Sequence, residues 1–392
     1  MIERREIIDL SGEFGIEPNI VEKDYVLGWM LAGIYNNHSA LRSEWLFKGG
    51  TCLKKCFFET YRFSEDLDFT ITNSSTPDPD YYKREFIKTA QWLYDTAGIE
   101  ILKDEIRFEV FNNPRGKPSC QGKIKAVGPT RSQRFQLSVK LDLTFDEITV
   151  LPSVQRKVHH PYSDNPENGI SAQCYSFEEV FAEKIRALAE RLRPRDLYDV
   201  VHLFRHGCDE ESRKKVLDTL KKKCEFKGIP LPSMDILNSK PEHGELVSEW
   251  ENMLAHQLPV LPPFEEFWKE LPAVFDWLYK HIVKPVPQPI GSGRYEIDRT
   301  WQPPAMVHSW NLAVPLEKIR FAGTNRLCVN LGYQGSLRLI EPYSLKRTND
   351  GNILLYAIKS DTGAVRAYRV DRIESVQITN RHFVPRYAVE FY

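Results

Sequence analysis

The chain has 392 residues, a formal net charge of −1, a hydrophobic fraction of 42% and an aromatic fraction of 12%. That length suits two or three domains, each able to bury a full core. The near-zero charge excludes a polyanion binder that works through its overall field, so nucleic-acid contacts must come from local patches.

Two further exclusions follow. The seven cysteines are scattered with no C-x-x-C spacing, which argues for reduced thiols and against a disulfide framework or a zinc site. The N-terminal Met-Ile-Glu-Arg-Arg-Glu has no apolar signal region, and no run of about eighteen apolar residues occurs. The expectation is a cytoplasmic protein with no membrane partner.

In chain order, residues 1 to about 45 read as helical. A helix from Val21 after Pro18-Asn19 buries Val21, Tyr25, Gly28, Trp29 and Ala32 at helical spacing. Trp45 to Lys48 is a short strand, Gly49-Gly50 a turn, and Thr51 to Phe58 a helix. A strand follows in which Leu67, Phe69 and Ile71 take one face and Asp66, Asp68 and Thr70 the other. Residues 73–80 form a loop, Tyr81 to Ala97 a helix, and Glu100 to Asn112 a strand.

Residues 115–134 carry Arg115, Lys117, Lys123, Lys125, Arg131 and Arg134 with no acid. They read as a flexible, anion-seeking loop. Phe135 to Phe145 then alternates, with Leu137, Val139, Leu141 and Leu143 opposite Ser138, Lys140, Asp142 and Thr144, as in a half-buried strand. His159-His160 reads as a surface pair. From Ser176 to about Phe275 the chain is helical, opened by a Ser176/Glu179 capping box. Residues 284–306 are a linker by their Pro and Gly content. From 307 onward, short strands with turns at Thr348-Asn-Asp-Gly and Ser360-Asp-Thr-Gly indicate a separate all-β unit. The expected domains are thus 1–165, 166–283 and 307–392.

Two aspartates side by side on a strand repel each other, and a divalent cation between them removes that cost. Oxygen-only ligands with room for phosphates suit Mg2+. Amides at the helix start after Gly49 and Gly50 can bind phosphate oxygens, since glycine lets phosphate approach the backbone. Lys54, one turn on, is placed to neutralise a triphosphate, and Asp142 to complete the metal site and help deprotonate an attacking hydroxyl. The reaction class that uses these parts is transfer of a nucleoside monophosphate from an NTP to a hydroxyl, with pyrophosphate leaving. Lys184 lies within the apolar stripe of its helix and must snorkel or meet an anion. Asp196 and Asp199, after Pro194, are ordinary acids of a helix start or part of the same site.

Phe47-Lys-Gly-Gly-Thr-Cys-Leu-Lys54, Arg62-Phe-Ser-Glu-Asp-Leu-Asp68, Glu183-Lys-Ile-Arg-Ala187 and Arg195-Asp-Leu-Tyr-Asp199, with Val21-Glu-Lys-Asp-Tyr25 before them, resemble the motif series of AbiEii-like nucleotidyltransferase toxins, which include the MenT toxins. The resemblance implies an α+β protein with a polymerase-β-like nucleotidyltransferase lobe and a helical second lobe. It also implies NTP and Mg2+ as substrate and cofactor, an RNA acceptor such as a tRNA 3′ end, and a role in a toxin–antitoxin or phage-defence system with an antitoxin partner. Carried over by motif, Lys48, Gly49, Gly50, Thr51 and Arg195 hold the nucleotide, Asp66 and Asp68 the metal, and Lys184 and Asp196 act in the active site. Ser64 matches a position that some members phosphorylate, where a phosphate beside the carboxylates would close the site.

The segments Leu339 to Arg347, Gly351 to Tyr356 and Arg366 to Ile373 resemble a WYL domain, a small SH3/Sm-like barrel that binds nucleotide or nucleic-acid ligands. The Trp-Tyr-Leu triplet itself is absent, with Leu354-Leu355-Tyr356 in its place. Arg338, Arg347, Arg366, Arg369 and Arg372 form an anion pocket in this reading. Two other classes stay open: a non-catalytic regulator built on the barrel, and a nucleotidyltransferase that modifies small molecules such as antibiotics.

Overall fold

The computed structural model describes residues 1–37, 39–72, 76–113, 115–131, 136–207, 209–280, 287–291, 295–301 and 316–391. Arg134, Phe135, Cys208, loop residues 73–75, much of the 284–306 segment and residues 307–315 lie outside these.

Eight strands form one mixed sheet: β1 (Trp45–Lys48), β2 (Asp66–Ile71), β3 (Glu100–Ile101), β4 (Arg107–Asn112), β5 (Pro118–Val127), β6 (Leu137–Thr144), β7 (Val154–Val158) and β8 (Ile170–Cys174). The order is β3-β5-β6-β2-β1-β8-β7, with β4 also on β5. β2 is parallel to β6 and antiparallel to β1, and β1 is parallel to β8.

The alternation read from β2 and β6 divides the sheet's faces. Phe47, Phe69, Leu141 and Cys174 bury against the N-terminal helices, with Val21, Tyr25 and Met30 in the same core. Leu46 and the neighbouring Tyr175 pack instead with the helices Phe177–Arg191 and Pro194–His206.

Several expectations change here. The basic tract is not a free loop: β5 runs through it and pairs with β4 on one side and β6 on the other. Small residues give it a loop-like composition, but Gly122 is required by packing, because a Cβ there would lie 2.7 Å from the Phe108 ring. The expected strand from Glu100 to Asn112 is broken at Lys103–Glu105. The sheet also runs on to Cys174, past the boundary at 165. His159 and His160 are not a surface pair. His160 is 2% exposed, packs on Tyr25, Trp29 and Tyr162, and sits so close to Gly28 that a Cβ there would come within 2.2 Å of its Nδ1. Ser176 does cap its helix, accepting from the Glu179 amide at 3.2 Å. The Glu179 carboxylate does not complete the box, because it pairs with Lys223 at 2.8 Å.

The C-terminal unit opens with a helix, Leu316–Thr324, so it is not all-β. Its strands β9 (Leu327–Tyr333), β10 (Ser336–Arg347), β11 (Ile353–Lys359), β12 (Val365–Arg369) and β13 (Ile373–His382) make an antiparallel sheet of order β12-β11-β10-β9-β13. Among the described residues β12 and β13 do not pair, so these strands do not close into an SH3/Sm-like barrel. Gly351 and Gly363, at φ +84° and +67°, make the two turns read from the sequence.

The unit is not a separate body either. Leu316, Ile319, Phe321, Leu331 and Leu355 share one core with Phe181, Tyr198 and Trp277 of the helical region. Polar contacts run along the same seam. Tyr198 Oη donates to Asn325 at 2.9 Å, and Glu270 takes Arg205 and Arg326, each at 2.6 Å. Part of the 284–306 segment also belongs to this unit, since Ile290 is fully buried and Asp298 pairs with Arg347 at 2.6 Å.

Candidate functional site

Parallel pairing of β2 and β6 sets Asp68 in register with Asp142, and Asp66 with Lys140. Residues in register share a face, so all three carboxylates stand on the face turned to the helical region. Asp142 Oδ1 accepts from Gln121 Nε2 at 2.7 Å across β5 and β6. In the same ladder Lys123 pairs with Lys140. Lysines of the basic tract therefore extend the face that carries the carboxylates.

The Gly49-Gly50 turn lies against this face. Gly49 has φ +82°, and a Cβ on it would lie 2.1 Å from Asp68 Oδ2. At Gly50 a Cβ would meet Arg62 Nη2 at 2.6 Å and Ser64 Oγ at 3.1 Å. Glycine is thus needed twice, for conformation and for room. Chain Gly49–Phe57 is helical, first α and then π from Leu53. The Thr51 hydroxyl donates to the Asp66 carbonyl at 2.5 Å, which ties this helix to β2.

Burial and the neighbouring Asp142 push the Asp68 carboxyl up from 3.8 to about 6. Burial also raises Asp66, against the pull of Lys23 and Lys140. Lys48, in register with Asp68 on β1, pairs with Glu183 at 3.6 Å.

Lys184 is buried between Asp196 Oδ1 at 3.3 Å and Asp199 Oδ2 at 2.7 Å. Despite burial, these acids raise it and keep it charged. Burial opposes ionisation of Asp196, but Lys184 and Arg191 more than offset it. Arg62 grips both oxygens of Asp199, at 2.7 and 2.8 Å, and Asp199 is held well below the usual carboxylate range despite its burial. Asp196 and Asp199 are therefore buried salt-bridge partners, beyond any role at a helix start. Arg195 reaches the Met253 carbonyl at 3.4 Å and lies in the field of Glu65 and Asp66.

Lys54 goes elsewhere. Its ammonium donates to the Glu59 carbonyl at 2.5 Å and lies 4.7 Å from the Phe63 ring centre, away from the carboxylate face. The helix turn that carries it points into the seam with the C-terminal unit. Residues that the sequence did not flag lie closer. Glu65, next to Asp66, takes Lys23 at 3.2 Å and His256 at 3.0 Å. Asp199 and Arg62 stand within the quoted motifs, but their pairing spans 137 positions and leaves no local signal.

The donor set fits a hard divalent cation, with carboxylate oxygens only and one carboxyl whose charge is under-compensated. Asp68 and Asp142 form the natural pair. The oxygens of all three carboxylates do not lie within 4.8 Å of one another, so the three must draw together to hold one ion between them.

In the C-terminal sheet two of the five arginines are already paired with acids. Arg347 pairs with Asp298 at 2.6 Å and Arg369 with Asp371 at 2.7 Å. Arg338 lies 5.2 Å from the Tyr333 ring centre. It lines a pocket of about 370 Å³ together with Lys359, Ser360 and Arg381.

Comparison with known proteins gives the class: the chain is a nucleotidyltransferase. The family model for the AbiEii nucleotidyl transferase toxin of type IV toxin–antitoxin systems matches residues 30–280, more than half of the sequence, and the chain belongs to that family. Residues 316–378 match the WYL domain model. Among solved structures, the chain is similar to MenT4, a nucleotidyltransferase toxin from Mycobacterium tuberculosis, at 18% identity over 73% of this chain and 91% of that one, with a TM-score of 0.47. It is also similar to JHP933 from Helicobacter pylori, at 14% identity over 68% and 94%, with a TM-score of 0.43. No curated protein matches by sequence. Among the described residues no helix is long and apolar enough to cross a membrane.

Proposed function

We propose that this chain is a Mg2+-dependent toxin of a toxin–antitoxin or phage-defence system that moves NMP from an NTP onto an RNA hydroxyl, with a tRNA 3′ end as the first acceptor to test. The observation that carries this reading is the shared register of Asp68 and Asp142 beside Asp66, with Gly49 packed against Asp68.

In this reading Asp66, Asp68 and Asp142 hold Mg2+, which when bound neutralises phosphate charge and orients the triphosphate. Backbone amides following Gly49 and Gly50 receive phosphate oxygens, with Thr51 bracing that helix on β2. Lys48 and Arg195 supply positive charge at the edges of the face. Asp142 accepts the acceptor hydroxyl's proton as its oxygen attacks the α-phosphorus. The bond from that phosphorus to the bridging oxygen breaks, and pyrophosphate leaves. Lys184, whose charge acts on Asp68, neutralises phosphate charge, and Asp196 holds it in place. Ser64, beside Gly50, is the position where a phosphate would block the turn.

An RNA acceptor is favoured over a small molecule by Lys123 and Lys140, which continue the acidic face as a basic strip suited to a phosphodiester backbone. The WYL domain is read as the unit that receives a nucleotide or nucleic-acid ligand, and an antitoxin protein as the neutralising partner. We divide the chain into a polymerase-β-like lobe, a helical lobe and the WYL unit.

The test is incubation of the wild type and Asp66→Ala with each of the four α-labelled NTPs and total RNA, followed by gel separation. Label should enter RNA with one NTP and only with the wild type. Label entering an aminoglycoside instead would favour the small-molecule enzyme. Equal silence from both proteins with every NTP would favour a non-catalytic regulator.

A further inference from the structure

Cys174 lies far along the chain from Cys52 and Cys56 but meets them in space. Cys52 and Cys56 lie four residues apart on the helical stretch Gly49–Phe57, one turn beyond the glycine turn. Cys174 ends β8, in register with Phe47 on the sheet face opposite the carboxylates. All three sulfurs lie within 4.8 Å of one another. A cation with metal–sulfur bonds of about 2.3 Å at the centre of a trigonal thiolate set spaces its sulfurs about 4 Å apart. The cluster therefore needs no backbone movement to close on one ion.

We propose that Cys52, Cys56 and Cys174 form a binding site for one soft, thiophilic metal ion, separate from the carboxylate site. The donor set selects the class. Sulfur-only coordination favours cuprous, zinc and cadmium ions and excludes magnesium and calcium, which take oxygen. Three thiolates around a divalent ion leave a net charge of −1. Arg156 is placed to offset that charge, because its guanidinium donates to the Cys56 carbonyl at 3.1 Å. No other group of three His, Cys, Asp or Glu ligand atoms this close occurs among the described residues.

The bound ion would staple the Gly49–Phe57 helix to β8 from beneath, fixing the glycine turn without entering the carboxylate face. Since the sites differ in ligand chemistry and in face, failure of one proposal leaves the other intact.

The test uses the full chain, purified with a phosphine reductant and titrated with Cd2+ beyond one equivalent, with time at each step for local opening of the buried site. The wild type should show the ultraviolet thiolate-to-cadmium charge-transfer band, saturating at one ion per chain, with a raised Tm. Cys174→Ser and Cys56→Ala should each lose the band. Cys120→Ser, which removes a buried thiol outside the cluster, should keep it. Two single variants guard against one failing to fold, and circular dichroism verifies each. The proposal is overturned if the wild type shows no band or if Cys174→Ser shows an undiminished one.

Discussion

Asp68 and Asp142 occupy the same register on adjacent parallel strands, and Asp142 is the charged neighbour that most raises Asp68 after burial itself. The two carboxylates repel each other, which makes the titration of Asp68 a direct probe of the site.

The first prediction concerns pH. The Asp68 carboxyl moves from 3.8 unfolded to about 6 folded. A raised folded value means that its contribution to stability is fully present below about pH 4 and is lost as pH rises through about 6, by at most about 3 kcal/mol. Asp68→Asn should therefore be more stable than the wild type at pH 7.5 and lose that advantage at pH 4. Mg2+ should raise the wild-type Tm at pH 7.5 and have much less effect at pH 4. Urea titrations at both pH values, with and without Mg2+, read this out; an equal Asp68→Asn effect at both would refute it.

Gly49→Ala tests the turn. The left-handed backbone alone costs about 1–2 kcal/mol with a Cβ, and that Cβ would press on the Asp68 carboxylate. Thermal unfolding should fall by a few degrees and nucleotide transfer by at least about a hundredfold, because about 3 kcal/mol of misplaced geometry translates into that rate. A variant with wild-type transfer would show that Asp68 has no part in it.

Asp199→Asn removes one partner from a buried group of three, leaving Arg62 and Lys184 under-compensated. Loss of about 3–5 kcal/mol is expected by chemical denaturation. Arg62→Lys in the wild-type background should also destabilise, because Lys cannot span both Asp199 oxygens at once.

Much of the carboxylate face is legible in the sequence, for a specific reason. Strands β2 and β6 each bury one face, so a period of two exposes Asp66, Asp68 and Asp142 without any tertiary knowledge. The helices opened by Ser176 and Pro194 carry their start signals locally. What stays hidden depends on distance along the chain. Glu65 finds His256, Lys184 finds Asp199, and Cys174 joins Cys52 and Cys56 only when β8 docks beside β1. β5 escapes a local reading because Gly122 makes room for Phe108, a need that no local pattern states. The Leu316–Thr324 helix escapes it too, being short and containing Gly323, where a Cβ would come within 2.2 Å of the Phe391 ring.

The last prediction tests the seam. Glu270 neutralises Arg205 and Arg326 together, so Glu270→Ala should cost roughly 3 kcal/mol. Calorimetry should show one unfolding peak for the helical region and the C-terminal unit, since they share a core. Two resolved peaks in the wild type would show that they fold independently.

That seam also reaches the loop before β2. Glu317 accepts from Thr60 at 2.5 Å, and Arg320 takes Glu59 at 3.2 Å. These anchors lie only a few residues upstream of Asp66, on the same stretch of backbone. A ligand that shifts the first helix of the WYL unit has a short mechanical lever to the acidic strand. The helix that opens the C-terminal unit is thereby tied, through residues 59 and 60, to the backbone that carries Asp66.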